Sequence, residues 1–492
     1  MHANQILTAA QMRAAEAALI ARGTSVDMLM QRAGRGAAEW VWRLAAGRSV
    51  TVLCGPGNNG GDGYVIAAAL RVRDGPVRVV MATEPTSAAA IVARGLYQGA
   101  VLKADAGLHG DVLVDCLFGT GLTRPLSAGD AALLNRLAAG HRQVIAVDLP
   151  SGINADLGRP LNPVLPANDL TLALGAWKLA HFLMPAAASM GELHLVGIGV
   201  AAVDGAAEVI APPHFIPPTA DAHKYTRGLL GVISGAMPGA ALLAAMAAQG
   251  AGAGYVKLLG KGGACTSTGS GRADLARQPN PLAAQPGLIE GHALPPDLVH
   301  DARPLREALA DKRINALLLG PGLGRDAAAR EAVAQVLARQ APSVLDADAL
   351  LLLTQPLLAE RSAPLIVTPH GGELIALEQS FGLNGKGSKV DRARNLAEAA
   401  NMIVVAKGAD TVVAGPDGCA ALSARASSWL STAGTGDVLA GVIASRLASG
   451  ADAFTAACEG VWLHGEAARQ CATPFTAGQL AAQVRSAYAA CL

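Results

Sequence analysis

The chain has 492 residues, which exceeds the size of one ordinary hydrophobic core and predicts two or three domains. Hydrophobic residues make up 51% of the composition and charged residues 16%, which excludes an intrinsically disordered chain. The formal net charge is +1, and this balance excludes a general electrostatic attraction to nucleic acids or membrane surfaces. An anionic ligand would therefore be held locally, by helix N-termini and glycine-rich loops.

The cysteine usage and the apolar segments indicate where the chain resides. The seven cysteines form an odd set without a C-x-x-C pair, which disfavours a disulfide framework or a zinc site and is typical of a reducing compartment. The N-terminus lacks a basic segment followed by an apolar run, and no stretch approaches the ~20 charge-free apolar residues of a membrane span. We therefore predict a cytoplasmic protein with no membrane partner.

The N-terminal half alternates between strand-like and helix-like segments. A first helix is predicted to begin after Thr8, because Thr8 and Gln11 have the spacing of a capping box. Further elements are predicted as strand 49–55, helix 64–73, strands 77–82 and 111–119, helix 131–140 and strand 143–152. Short β-rich runs separated by helices predict a parallel sheet covered on both faces, a Rossmann-like α/β sandwich.

A proline-rich segment separates this half from a second α/β alternation. Four prolines and no periodic pattern occur over 211–224, so we predict a domain over 1–212, a linker over 213–224 and a second domain over 225–492. In the second domain, strands are predicted at 231–235, 255–259, 315–324, 343–350, 365–373 and 403–415, and helices begin near Gly239 and Gly434. The polar stretch 260–300 is predicted to be a mobile loop or a partly disordered segment.

A glycine-rich segment, GPGNNGGDGY at 55–64, lies between a predicted strand and a predicted helix. Its N-G and G-G dipeptides are also compatible with a simple tight turn. The density of glycine, asparagine and aspartate exceeds what a turn needs, and glycines let a backbone approach a ligand ahead of a helix N-terminus that can bind phosphate. We therefore favour ligand binding. The segment is not the full dinucleotide fingerprint, which is G-x-G-x-x-G with an acidic residue ~20 positions further on, so an ordinary dinucleotide-binding Rossmann site is excluded.

Two further strand ends carry polar side chains. DCLFGTGLTRP (115–125) and VDLPSG (147–152) place Asp115, Gly119, Gly121, Asp148 and Ser151 just beyond predicted strands, where open α/β sheets bind ligands. A lone aspartate at such a position more often caps a helix or a turn. Three strand ends rich in oxygen ligands favour a binding site at one edge of the sheet.

These three segments, together with LMQRAG at 29–34, resemble the signature segments of the NAD(P)H-hydrate epimerase family over roughly the first 200 residues. The resemblance implies that the chain binds K⁺ and a hydrated dinucleotide and inverts C6 of the nicotinamide hydrate, with Asp148 as the hypothetical acid–base group. The implied substrate contacts are Asn58, Asn59, Gly60, Gly61, Asp62, Gly119, Thr120, Gly121, Leu122, Thr123, Arg124, Pro125 and Asp148. Asn59, Asp115 and Ser151 would supply the oxygen ligands that such hard cations prefer.

Five segments of the second half follow predicted strands or open a helix: GPGLG (320–324), LDADAL (345–350), TPHGGE (368–373), KGADT (407–411) and GTGD (434–437). GTGD would present free N–H groups to an anion, with Asp437 placed to act as a base or to position a leaving group. Each segment alone is ambiguous. KGADT fits phosphate binding and a hairpin turn equally well, and a lone histidine such as His370 is more often structural.

In this order the five segments resemble the ADP/ATP-dependent NAD(P)H-hydrate dehydratase family, a branch of the ribokinase-like fold, over roughly residues 220 to 490. The resemblance implies that Ala240, Gly322, His370 and Asp437 line the hydrate pocket and that Asp437 is catalytic. The implied nucleotide site consists of Lys407, Gly408, Ala409, Asp410, Thr411 and Gly436. In this family ADP, or alternatively ATP, phosphorylates the 6-hydroxyl, since phosphate leaves far more readily than hydroxide. Phosphoryl transfer in turn predicts Mg²⁺.

The two resemblances together predict a bifunctional repair enzyme for hydrated NADH and NADPH (NADHX and NADPHX). It would be an isomerase that interconverts the R and S hydrates and a lyase that dehydrates the S form with ADP, giving AMP and phosphate. We predict a homo-oligomer without a nucleic-acid partner. One alternative is an ATP-dependent kinase of a sugar or vitamin precursor with an N-terminal binding module, although a kinase would not need TPHGGE. In a second alternative the N-terminal half only binds a ligand, which the retention of Asp115 and Asp148 disfavours.

Overall fold

The computed structural model describes residues 4–104, 109–260, 288–289 and 292–492. It divides into two compact units, Met1–Val209 and Ile210–Leu492. Both units are α/β, which confirms the predicted class. The predicted linker, 213–224, falls at the beginning of the second unit. The predicted mobile loop, 260–300, lies for the most part outside the described residues.

The first unit is built on a parallel sheet of seven strands in the order β11-β9-β6-β5-β2-β3-β4. Its described strands are β1 (Gln5–Leu7), β2 (Val50–Cys54), β3 (Val77–Met81), β4 (Val101–Lys103), β5 (Gly110–Cys116), β6 (His141–Val147), β7 (Ile153–Asn154), β8 (Arg159–Pro160), β9 (Leu170–Leu174), β10 (Trp177–Lys178), β11 (Glu192–Val196) and β12 (Ala207–Val209). Its described α-helices are α1 (Ala9–Ala21), α2 (Val26–Ala45), α3 (Asn58–Val72), α4 (Ala88–Leu96) and α5 (Ala128–Ala139).

The central strand β2 shows why this sheet is covered on both faces. Val50, Val52 and Cys54 belong to the core beneath α2 and α3, whereas Leu53 belongs to the core beneath α5. Successive side chains of a strand point to opposite faces, so a strand whose residues are all buried requires helices on both sides. Since these strands are parallel, the segments that follow β2, β5 and β6 begin at the same edge of the sheet.

Helix α1 begins after Thr8 with the predicted capping box, but α3 begins at Asn58, six residues before the predicted start. The prediction was late because glycine disfavours helix interiors. Here the missing side chains permit close packing instead. A Cβ atom at Gly60 would lie 1.9 Å from the carbonyl oxygen of Gly55. The second half of the glycine-rich segment is therefore the first turn of a helix.

Nine described strands of the second unit lie in one sheet in the order β23-β22-β21-β20-β19-β18-β13-β14-β17, in which β22 is antiparallel to both neighbours, and β15 and β16 form a separate antiparallel pair. Its described strands are β13 (Leu229–Ile233), β14 (Tyr255–Leu259), β15 (Leu288–Ile289), β16 (His292–Ala293), β17 (Val299–Asp301), β18 (Ile314–Leu319), β19 (Ser343–Leu345), β20 (Leu365–Val367), β21 (Ile403–Ala406), β22 (Val412–Ala414) and β23 (Ala420–Leu422). Its described α-helices are α6 (Pro238–Gly250), α7 (Leu305–Ala308), α8 (Ala327–Ala338), α9 (Asp348–Leu352), α10 (Gly371–Ser380), α11 (Lys389–Ala400), α12 (Thr435–Ala448), α13 (Ala453–Gln470) and α14 (Ala477–Ala489).

Small residues build the core of the second unit. Helices α6 and α12 approach so closely that a Cβ atom at Gly441 would lie 2.1 Å from the carbonyl oxygen of Ala244. Phe215, inside the predicted linker, is buried against the C-terminal helices and stacks on Tyr488 with ring centroids 4.4 Å apart. Part of the predicted linker is therefore packed onto this unit. Among the described helices, none is long and apolar enough to cross a membrane.

Candidate active sites

The first candidate site lies where β5 and β6 end. Asp115 is the penultimate residue of β5 and 1% exposed, so the prediction that it lies beyond the strand was wrong. Its two carboxylate oxygens accept hydrogen bonds from the Ser151 hydroxyl (2.7 Å), the Ser151 backbone N–H (2.9 Å) and the Leu117 N–H (3.1 Å). Burial raises the pKa of Asp115, and these bonds only partly offset it. In the described part of the chain, no basic side chain is paired with this carboxyl group.

Asn59, in the first turn of α3, faces the same edge. Its amide nitrogen and oxygen are both buried and lack a hydrogen-bond partner among the described residues. A Cβ atom at Gly119 would lie 3.3 Å from the Asn59 Oδ1 and 2.8 Å from the Asp148 Oδ2. The absence of a side chain at Gly119 therefore allows Asn59 and Asp148 to approach each other.

Asp148 follows β6 with a φ of 68°, a left-handed backbone conformation that is uncommon for a residue other than glycine. Its Oδ2 accepts hydrogen bonds from the Thr120 N–H (2.9 Å) and hydroxyl (2.5 Å), and its Oδ1 accepts one from the Lys178 Nζ (2.5 Å). Burial alone would raise the pKa of Asp148. The charge and hydrogen bond of Lys178, together with the bonds from Thr120, outweigh that effect and hold the pKa below its usual range.

Two further carboxyl groups surround this ion pair. Burial, followed by the negative charges of Asp148 and Glu16, raises the pKa of Asp62 well above its usual value. Burial and Asp148 likewise raise the pKa of Glu16. No described residue donates a hydrogen bond to the Asp62 carboxyl, although Asp62 is only 8% exposed. The Lys178 ammonium is thus shared among the carboxyl groups of Asp148, Asp62 and Glu16. It keeps Asp148 ionised, whereas the raised pKa of Asp62 favours its protonated form. Such a pair is typical of a site that contains both an acid and a base.

The other predicted contacts of this site lie on two segments. Gly60 and Gly61 are buried in the first turn of α3, and Asn58 is exposed at its start. On the loop after β5, Gly121, Thr123, Arg124 and Pro125 are exposed. Leu122 packs in the core beneath α5, so only its backbone can face a ligand.

Lys178 and His181 were missed by the sequence analysis. They lie in GAWKLAH at 175–181, which matches no recognised motif. The sequence did contain one signal, a single lysine within the mostly apolar segment 170–187. A lysine is almost never fully buried unless it is paired, so its position there indicates a buried ion pair. Lys178 is 1% exposed.

The second candidate site lies at the start of α12. Asp437 is half-buried in the first turn. Burial, together with the negative charge of Asp346, raises the pKa of Asp437 to about 6, although Lys407 acts in the opposite direction. The Lys407 Nζ donates a hydrogen bond to the buried Asp346 Oδ1 (2.5 Å) and lies 3.5 Å from the position of a Cβ atom at Gly436. The structure thus brings Lys407, Gly436 and Asp437 together around Asp346.

KGADT forms the connection between β21 and β22, so the predicted hairpin turn is present. The Lys389 Nζ donates hydrogen bonds to the Asp410 carboxylate (2.6 Å) and to the carbonyl oxygens of Asp410 (3.0 Å) and Lys407 (3.2 Å). The Thr411 hydroxyl donates to the Gly408 carbonyl oxygen at 2.9 Å. Together with a hydrogen bond from the Ala426 N–H to the Ala409 carbonyl oxygen (3.2 Å), these bonds fix the conformation of the loop.

His370 caps α10, as expected for a structural histidine. Its Nδ1 accepts hydrogen bonds from the N–H groups of Gly372 (3.0 Å) and Glu373 (3.3 Å). The side chain is nevertheless 63% exposed, so the ring remains accessible at the carboxyl end of β20. Gly322 and Ala240 are in contact, since a Cβ atom at Gly322 would lie 3.1 Å from the Ala240 Cβ.

Three of the predicted residues follow parallel strands that end at one edge of this sheet. Gly322 follows β18, His370 follows β20 and Lys407 follows β21. Ligands of open α/β sheets bind at this edge. Within the described residues, no group of three or more histidine, cysteine, aspartate or glutamate side chains is arranged to hold a metal ion.

Both halves of the chain match known families. The family described as NAD(P)H-hydrate dehydratase matches residues 230–489, and the family described as YjeF-related protein N-terminus matches residues 26–180. The bifunctional NAD(P)H-hydrate repair enzyme Nnr of Moorella thermoacetica is 33% identical over 486 residues, covering 90% of this chain and 88% of the relative. The enzyme of the same name from Mycobacterium leprae is 32% identical over 506 residues, covering 98% of both chains.

Among solved structures, the chain is similar to the ADP/ATP-dependent NAD(P)H-hydrate dehydratase from Bacillus subtilis, co-crystallised with ATP and Mg²⁺. The identity is 26% and the TM-score 0.46, with coverage of 57% of this chain and 95% of that chain.

Proposed function

The chain belongs to the family of bifunctional NAD(P)H-hydrate repair enzymes, and we propose that its first unit epimerises NADHX and NADPHX while its second unit dehydrates the S form. The predicted family, the pair of activities and the enzyme class are confirmed at the level of the family. We propose that the second unit has a ribokinase-like fold, which is supported by its α/β elements. The kinase alternative loses its support, because relatives that share both halves of the chain are named as repair enzymes.

The observation that carries the epimerase proposal is the arrangement of carboxyl groups at the end of β6. The Asp148 carboxylate is held by Lys178 and Thr120, and the buried Asp62 carboxyl, which interacts electrostatically with Asp148, receives no hydrogen bond from the described residues. An ionised carboxylate and a carboxylic acid in one buried site can accept and donate protons in the same reaction. We assign acid–base chemistry to Asp148 and contact with the hydrate to 58–62 and 119–125.

Potassium fits three residues of the first unit. Among the described residues, the Asn59 amide oxygen has no hydrogen-bond donor and the buried Asp115 carboxyl group has no paired basic side chain, while the Ser151 hydroxyl donates to Asp115. A cation would satisfy the first two groups, and oxygen ligands of this kind suit a hard ion. We propose that Asn59, Asp115 and Ser151 hold K⁺, whose charge would favour the binding of an anionic dinucleotide.

In the second unit we propose that residues 407–411 and Gly436 hold ADP with Mg²⁺, and that Ala240, Gly322, His370 and Asp437 face the hydrate. With a pKa of about 6, Asp437 is largely ionised at neutral pH. It can take the proton of the 6-hydroxyl as that oxygen attacks the terminal phosphorus of the nucleotide. AMP then leaves, and loss of phosphate from C6 together with a proton from C5 restores the dihydronicotinamide ring.

The test uses the full chain with purified R and S forms of NADHX. We expect ADP-dependent recovery of the absorbance of reduced nicotinamide from the S form, and recovery from the R form that requires both units. Assays with ADP and ATP in parallel give the nucleotide preference. Nucleotide consumption with a sugar or vitamin precursor, and none with NADHX, would support a kinase instead.

Some features remain proposals. We assign the epimerase to residues 1–212 and the dehydratase to residues 225–492, which is supported by the ranges of the two family matches. The homo-oligomeric state, the cytoplasmic location and the absence of nucleic-acid and membrane partners stay predictions. Size-exclusion chromatography with light scattering would give the oligomeric state.

A further inference from the structure

Lys178 is a buried cation with two defined partners. Its side chain is 1% exposed, and its Nζ donates hydrogen bonds to the Asp148 Oδ1 (2.5 Å) and to the Leu174 carbonyl oxygen (2.6 Å). Removing an ammonium group from water is costly, and a buried ion pair often stabilises a fold no better than apolar residues of similar size. Stability alone therefore gives a weak reason for a lysine at this position.

His181 joins the two members of this ion pair through their backbones. Its Nδ1 accepts a hydrogen bond from the Lys178 N–H (2.8 Å), so the proton lies on Nε2, which donates to the Asp148 carbonyl oxygen (2.9 Å). Burial, together with the nearby charge of Lys178, lowers the pKa of His181 to about 4, so the ring is neutral near pH 7. Asp148, Lys178 and His181 thus form a closed ring of hydrogen bonds.

This ring of hydrogen bonds fixes Asp148, which has an unfavourable backbone conformation. Asp148 has a φ of 68°, and its carbonyl oxygen and both carboxylate oxygens are each bound by a different residue. Thr120 binds Oδ2, Lys178 binds Oδ1, and His181 binds the main chain. Without the Lys178 ammonium, Oδ1 would lose its only described donor and the carboxylate could rotate away from the substrate.

We propose that Lys178 is a positioning residue for epimerisation, which acts by holding the Asp148 carboxylate in its reactive orientation. This inference rests on the proposed epimerase function. Lys178 itself does not reach the substrate, because almost none of its surface is accessible. Its effect on the rate must therefore be transmitted through Asp148.

The test is a double-mutant cycle of Lys178→Met and Asp148→Asn in the full chain, with interconversion of R and S NADHX followed by chromatography. We expect Lys178→Met to lower the kcat of epimerisation by ~10²-fold with KM changed by less than about threefold, as a misplaced catalytic group does. On the Asp148→Asn background, Lys178→Met should have almost no further effect, because residues that act as a unit are not additive.

Lys257→Met is the matched control, since Lys257 is also buried and paired with an aspartate (Asp311, 3.2 Å) but lies in the second unit. It should leave epimerisation unchanged. Thermal unfolding verifies that each variant is folded, and Lys178→Gln replaces Lys178→Met if the latter fails to fold.

A folded Lys178 variant with a kcat within about threefold of wild type would overturn the inference, as would losses that multiply in the double mutant. An inactive wild-type first unit would instead overturn the proposed function, and this inference with it.

Discussion

Asp148 and Asp437 are the two proposed catalytic carboxyl groups, and their surroundings differ. Asp148 is buried against an ammonium, and Lys178 and Thr120 hold its pKa below the usual range. Asp437 has no direct ion-pair partner in the described structure, and burial with the charge of Asp346 raises its pKa to about 6. Lys407, whose charge lowers the pKa of Asp437, is already paired with Asp346.

The difference shows that the partner of a catalytic carboxyl group decides its behaviour. A paired carboxylate remains ionised at every physiological pH and depends on its neighbours for orientation. A carboxyl group with a pKa near 6 changes its charge within the physiological range and makes the rate depend on pH. The comparison therefore predicts that the two activities respond differently to substitution, to K⁺ and to pH.

The largest expected effect is the loss of dehydration in Asp437→Asn. The substitution removes the proposed base, so the rate should fall toward the upper part of the ~10²–10⁴-fold range of such groups. Epimerisation should stay near wild type, because Asp437 lies in a different unit. Rates of both reactions in the same preparation provide the measurement. Loss of both activities in a folded protein would contradict two independent sites.

Asp148→Asn is the reciprocal experiment. Epimerisation should lose ~10²–10³-fold in kcat, because proton transfer by Asp148 is removed while the Asp62 carboxyl remains. Substrate binding should change little, and dehydration of the pure S form should be unaffected. A loss below tenfold, or one confined to KM, would make Asp148 a binding residue and leave the epimerase without an assigned base.

A smaller effect is expected from Asp115→Asn, which keeps the size of the side chain but removes its charge. If Asp115 holds K⁺, the K⁺ concentration for half-maximal epimerisation should rise roughly 10-fold or more, as for other changes in metal shells. High K⁺ should partly restore the rate. Asp111→Asn is the matched control, because Asp111 lies on the same strand but is half-buried and stands at the opposite end of it. Epimerisation that is indifferent to replacing K⁺ with a bulky organic cation would exclude the metal.

The smallest effect concerns the pH dependence of dehydration. As a base, Asp437 must be ionised, so the rate should rise with pH through about 6. Asp346→Asn removes a neighbouring negative charge and frees Lys407, and both changes lower the pKa of Asp437. The rising part of the profile should therefore move to lower pH, by about one unit. An unchanged profile would show that Asp346 does not influence Asp437, and Asp148→Asn should leave the profile where it is.

Much of the first site was predictable from local patterns. Apolar runs that end in polar residues identified β2, β5 and β6, and the carboxyl ends of parallel strands meet at one edge. Asn59 and Asp148 lie close together at that edge, as this reasoning predicts. The family followed from the order of the motifs, since each motif alone also fits a turn or a helix cap.

Other features depended on contacts that no local pattern contains. The ion pair of Lys178 with Asp148 spans 30 residues, and that of Lys407 with Asp346 spans 61. Helix α3 begins inside a glycine-rich segment because the close packing of Gly60 against Gly55 needs a residue without a side chain. Helix propensity, which is a local property, favours a later start.

The sequence alone determined the alternation of strands and helices, the two α/β halves and the positions of the polar loops, because these follow from periodicity and from residue conformation. Only the tertiary structure decided which carboxyl group is charged and which donors hold it. A pKa depends on burial and on charges brought close by the fold, and residues such as Glu16, Asp62 and Lys178 become neighbours of Asp148 only after the chain has folded.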